Sequence, residues 1–107
     1  MGADALIVYM TAADADEAAR IGKALVDKRL AACVNILGPI RSLYRWDGEV
    51  QDDAEVAFIA KTTDARLDEL TAEVNRLHSY DLPCVVALPL AGGSAAFLNW
   101  IAEQTQP

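Results

Sequence analysis

The chain has 107 residues and carries sixteen Asp and Glu against nine Lys and Arg, a net charge of −7. That balance argues against nucleic acid, whose binding depends on cations neutralising phosphates, and no apolar run approaches the ~18 residues that would cross a bilayer. The length fits one domain, residues 1–107, large enough to bury ~65% of its unfolded surface.

In chain order, the first predicted strand is Ala5-Leu6-Ile7-Val8-Tyr9-Met10. Thr11 to Ala13 form a turn, and Asp14 caps a helix with Glu17 three residues on, an Asp-led form of the capping box. Ala18, Ile21 and Leu25 then recur at helical spacing, and Lys28 and Arg29 stand near the C-terminal end, where the macrodipole favours cations. A second strand runs from about Ala32 to Trp46, with an interruption expected at Gly38-Pro39 because proline cannot donate to the ladder. Asp47-Gly48 reverses the chain: a type I′ turn needs positive φ at both central positions, and Asp-Gly meets that need. The hairpin partner runs from about Glu49 to Thr62.

Thr63 or Asp64 begins a second helix whose stripe of Leu67, Leu70, Val74 and Leu77 is the clearest amphipathic signal in the chain. A loop follows from His78 to Pro83, then a strand from Cys84 to Leu90. Gly92-Gly93 break the chain, and Ser94 caps a short last helix expected to bury Phe97, Leu98 and Ile101. The order β-α-β-β-α-β with a terminal helix predicts an α+β fold, a ferredoxin-like antiparallel sheet with both main helices on one face and a long hairpin.

Such a sheet has one face open, so its strands should alternate apolar and polar. L-I-V-Y-M, V-A-F-I-A and C-V-V-A-L-P-L do not alternate. The exposed patch would exceed the few hundred Å² usual for monomers. No residues are left over to cover it within one chain, so self-association with closed symmetry is expected.

Two cysteines without a C-x-x-C are expected to be free thiols in a reducing compartment. The N-terminus has no basic region followed by an apolar core, so a cytoplasmic location is expected. His78 is the only histidine and the only side chain that titrates near neutrality without a large shift. It reads either as a metal ligand or as a cation satisfied by helix C-terminal carbonyls. Glu55 and Lys61, six apart on one strand, share a face and frame either a small polar pocket or an ion pair between subunits.

The stretch R-L-A-A-C-V-N-I-L-G-P-I-R-S-L-Y-R-W-D-G-E-V (Arg29 to Val50), with E-V-A-F-I-A-K-T (Glu55 to Thr62), His78-Ser79-Tyr80 before Pro83, and Phe97-Leu98-Asn99-Trp100-Ile101, resembles the CutA family of divalent-cation tolerance proteins. The resemblance implies a cytoplasmic homotrimer, with hairpins reaching to neighbours, that binds copper, Cu(I) or Cu(II), or another divalent cation. It makes His78 the lead ligand. The position of Met10 can hold a cysteine in the family and that of Leu77 a second histidine; a thioether still suits Cu(I), whereas leucine coordinates nothing. Cys33 stands at a position typical of the family and is read as core or as ligand. Cys84 takes the place of a glutamate common in relatives, an extra thiol in exchange for a carboxylate. Tyr44, Trp46, Glu55, Lys61 and Tyr80 match further family markers and are candidates for an inter-subunit cleft.

An alternative from the same resemblance is an effector-binding trimer like the PII signalling proteins, with Lys61 contacting a small anion, although no Gly-rich phosphate loop supports it. No enzyme is expected. Acylphosphatases share the split β-α-β order but need an arginine in a glycine-rich loop after the first strand, and Thr11-Ala12-Ala13-Asp14 has neither. No nucleophile, base and orienting group stand together.

Overall fold

The computed structural model describes residues 4–107. The first three residues, on which the expectations about the N-terminus and the start of the domain partly depend, lie outside that range. The elements are β1 (Ala5–Ala12), α1 (Ala15–Asp27), β2 (Cys33–Trp46), β3 (Glu49–Thr63), a 3₁₀ turn (Asp64–Arg66), α2 (Leu67–Leu77), β4 (Val85–Pro89) and α3 (Ala95–Gln104). The four strands form one antiparallel sheet in the order β2-β3-β1-β4. Since β3 is antiparallel to both β1 and β2, those two strands run the same way with β3 between them.

Local chemistry explains most boundaries. Asp14 Oδ1 accepts from Glu17 N at 2.8 Å, while Glu17 Oε1 accepts from Ala13 N at 2.9 Å, so the start of α1 is held from both sides. Its end is a Schellman arrangement. Leu30 N donates to Leu25 O at 2.9 Å and Arg29 N to Val26 O at 3.1 Å, with Arg29 at φ 60 where glycine is usual. Asp47 and Gly48 have φ 51 and 80, the two positive values a type I′ reversal requires. Gly22 is needed for close approach: a Cβ there would lie 2.8 Å from a Val34 methyl, so α1 sits tightly on β2.

Several expectations change. The turn expected at Thr11 to Ala13 starts later, because Thr11 and Ala12 pair with Ala57 and Val56 and carry β1 on to Ala12. β2 is not broken at Gly38-Pro39; a register shift between Ile36 and Gly38 lets the ladder continue past the proline. The second helix starts at Leu67 after a 3₁₀ turn rather than at residue 63 or 64, because neither Thr63 nor Arg66 supplies a side-chain cap. In α3 only Ile101 is fully buried, while Phe97 is 44% exposed.

Side-chain alternation sorts the sheet into two faces. Val8, Met10, Ala12, Val56, Phe58 and Ala60 point to α1 and α2 and pack with Ile21, Leu25, Leu70 and Val74 as the core. The opposite face carries Ile7, Tyr9, Ile59, Lys61, Val86 and Leu88, aligned by the register of β1 with β3 and β4. Part of this face is covered within the chain after all: α3 returns across it after β4, placing the Phe97 ring 5.6 Å from Lys61 Nζ. Val86 and Leu88 remain 54% and 59% exposed.

Candidate functional site

His78 follows α2 directly, and its position is set by Glu17 and by β1. The imidazole is wholly buried, 0% exposed. Its Nε2 lies 2.8 Å from Thr11 O, and its Nδ1 accepts from Tyr80 N at 3.1 Å. A carbonyl can only accept, so Nε2 carries the proton and the neutral tautomer satisfies both bonds. The ring's one lone pair in the plane is spent on the Tyr80 amide, and a metal at His78 would have to displace that amide.

Glu17 holds the same loop. Its Oε2 accepts from Ser79 N at 2.8 Å, joining residues 62 apart in sequence, and lies 3.8 Å from His78 Nδ1. Burial by itself would raise this carboxyl. The amides of Ala13 and Ser79 and the Ser79 hydroxyl outweigh it and hold the group below the usual carboxylate range.

Beyond this loop lies a groove of about 610 Å³ between the hairpin, β1 and the segment before β4. Tyr9, Tyr44, Trp46, Tyr80, Glu55, Asp81 and Cys84 line it. Tyr80 Oη donates to Glu55 Oε2 at 2.8 Å, and Tyr44 Oη donates to Asp53. Burial, then the bond to Glu55 and its charge, push the Tyr80 phenol far up. The bond to Asp53 does most to raise Tyr44. Burial, then Glu55, raise the Cys84 thiol, which is therefore largely protonated at neutral pH.

The residues singled out in the sequence thus separate. Tyr44, Trp46, Glu55, Tyr80 and Cys84 come together in the groove. Lys61 does not: it is six residues along β3 from Glu55, about 20 Å at strand spacing, where it donates to Asn35 Oδ1 at 2.9 Å. Met10 is fully buried among core side chains on the helix-covered face. Cys33 lies opposite Lys61 across the β2–β3 ladder. His78, Met10, Cys33 and Cys84 therefore do not make one ready-formed coordination sphere, and among the described residues no group of three His, Cys, Asp or Glu is placed to hold a metal ion. Both cysteines are free thiols. Tyr9 and Asp81 were not picked out from the sequence. The strand parity of Tyr9, opposite in sense to Val8 and Met10, is the signal that would have placed it on the helix-free face.

Comparison with known proteins gives this geometry a family. The model of the CutA1 divalent ion tolerance protein family matches residues 6–104. The divalent-cation tolerance protein CutA of Thermus thermophilus is 44% identical over 99 residues, covering 92% of this chain and 96% of the relative. The chloroplastic protein CutA of Arabidopsis thaliana is 42% identical over 101 residues. There the match covers 94% of this chain but only 56% of the relative, so the chain spans little more than half of the plant protein. The solved structure of the Thermus thermophilus divalent cation tolerance protein superposes with a TM-score of 0.93 at 43% identity, covering 95% of this chain and 99% of that one. With the match running from β1 to the end of α3, the chain belongs to the CutA1 family of divalent ion tolerance proteins.

Proposed function

We propose that the chain is a binding protein rather than an enzyme, a homotrimer of ferredoxin-like subunits that contributes to tolerance of divalent cations by taking up copper or a similar ion. The carrying observation is the helix-free face. Val86 and Leu88 stand more than half exposed beside Tyr9 and Ile59, and α3 covers only the Lys61 end. Copies of the same chain are the occupant that residues of this chemistry favour, because removing such surface from water gains ~25 cal/mol per Å².

The relatives' names supply the role in cation tolerance. Within the chain, Cys84 and Glu55 are the donors that share an open groove, a soft sulfur and a hard carboxylate. His78, with its lone pair engaged, joins only if the Tyr80 amide lets go. Free thiols at Cys33 and Cys84 fit a cytoplasmic location.

Calorimetric titration of the untagged protein with Cu(II), and anaerobically with Cu(I), tests the metal part. Cys84→Ser is expected to weaken binding at least tenfold. Equal affinity of wild type and variant would remove the groove thiol from the site.

A further inference from the structure

The helix layer carries a second, separate feature. A depression of about 400 Å³ lies between the C-terminal end of α1 and α2, across the sheet from the open face. Lys28, just after α1, lines one side. Arg66, Glu69, Glu73 and Arg76 line the other at spacings of three, four and three, which puts them on one face of α2 and the turn before it.

The bonding within it is uneven. Glu73 is held deep: its side chain is 11% exposed and accepts from Lys28 Nζ at 2.8 Å and from Arg76 Nε and Nη2 at 3.1 and 2.6 Å. Glu69 is 65% exposed and accepts from Arg66 Nη1 at 3.0 Å. Arg66 itself is only 9% exposed. Its Nε, shut off from water, is the one buried side-chain nitrogen or oxygen without a partner among the described residues. A donor on a charged group left unmet in such a place is costly, and it calls for an acceptor.

Three cations thus face one fixed carboxylate and one exposed one. An exposed pair three residues apart on a helix is weak, so Glu69 is the lining group that moves at least cost. With Glu69 swung out, the depression holds two positive charges in excess. The chain as a whole is acidic, but distant carboxylates are screened beyond about 10 Å at ~0.1 M salt. A phosphate group carries about −1.5 to −2 near neutrality, and its three oxygens can meet a guanidinium fork and an ammonium together. We infer that this depression binds a phosphate group, which takes the place of the Glu69 carboxylate on Arg66 and also meets Lys28 and Arg76. The site shares no residue with the groove or with Lys61, and stands whether or not the chain takes up copper.

The test is a ¹H–¹⁵N titration of the full chain with inorganic phosphate at constant ionic strength. The Arg66 Nε–H signal is the reporter, and Arg66→Lys assigns it by its loss. Perchlorate, a tetrahedral anion of single charge, is the comparator. The expected result is a saturable shift at Arg66, with perchlorate at least tenfold weaker. Methyl phosphate is expected within threefold of inorganic phosphate, because the phosphoryl oxygens make the contacts. Glu69→Gln removes the competing carboxylate and is expected to tighten binding at least threefold. Arg76→Gln, at an exposed position, is expected to loosen it at least threefold. Lys23→Gln is expected to leave it unchanged, since Lys23 pairs with Asp27 outside the depression. A shift that does not saturate, an equal response to perchlorate, or a Glu69→Gln variant that binds no tighter than wild type overturns the proposal.

Discussion

The two faces of the sheet are built from almost equally apolar strands, yet they meet different surroundings. Toward α1 and α2, Met10 and Phe58 lose all contact with water and the helices supply the other half of the packing. On the opposite face the residues next to them in sequence, Tyr9 and Ile59, and their cross-strand partner Val86, are left wholly or partly open, with α3 sheltering one end. Composition therefore does not tell a covered face from an open one. What tells them apart is whether the same chain has another element to lay on the surface.

The largest effect that follows belongs to the covered face. Phe58→Ala removes a ring from a filled interior and is expected to cost about 3–5 kcal/mol by urea unfolding; a loss below about 1 kcal/mol would mean that this face is no better packed than the other.

Next comes Glu17, which ties β1, α1 and the His78 loop together. Glu17→Gln is expected to cost about 1–3 kcal/mol, because the Ala13 and Ser79 amides lose a charged acceptor in a buried setting. The folded carboxyl lies below its ordinary range, so its contribution is complete above the unfolded value near 4.5 and fades as acid protonates the folded group. Wild-type stability should fall below about pH 5, and the variant should show a shallower slope there.

A smaller term sits on the outer surface of the helices. Arg76 and Lys28, by hydrogen bonding, bring the Glu73 carboxyl down to about 2. This contribution is present above the unfolded value and disappears as pH falls from about 4.5 to about 2. Both cations are more than half exposed, so Glu73→Gln is expected to cost only about 1 kcal/mol at neutral pH, and high salt should reduce the difference. Leu88→Glu should have the least effect on the fold of a single chain, leaving the far-ultraviolet dichroism unchanged, since the side chain packs against little within the subunit.

Legibility in the sequence follows how local each determinant is. The Asp47-Gly48 reversal was readable because two consecutive positive φ values admit few residue types. The start of α1 was readable because its cap lies within four residues. The bulge that carries β2 past Pro39 was not, since it depends on register with a strand reached only after the hairpin turns.

The site divides the same way. Tyr44, Trp46 and Glu55 could be grouped from strand parity, and the separation of Lys61 from them was equally legible, since six residues at strand spacing already span about 20 Å. That His78 has both nitrogens committed is invisible in sequence, since Nε2 meets the Thr11 carbonyl from the other end of the chain and Nδ1 meets the Tyr80 amide only in the loop conformation that the fold sets. Phe97 was expected inside because a helical aromatic usually is. It stays partly exposed because α3 has only one end of a sheet face to lie on.

Sedimentation equilibrium of the wild type and Leu88→Glu at micromolar concentration probes the difference between the faces most directly. A wild-type mass of three 11.5 kDa chains, falling to one chain in the variant, is the predicted result. A wild type that sediments as a single chain would contradict it.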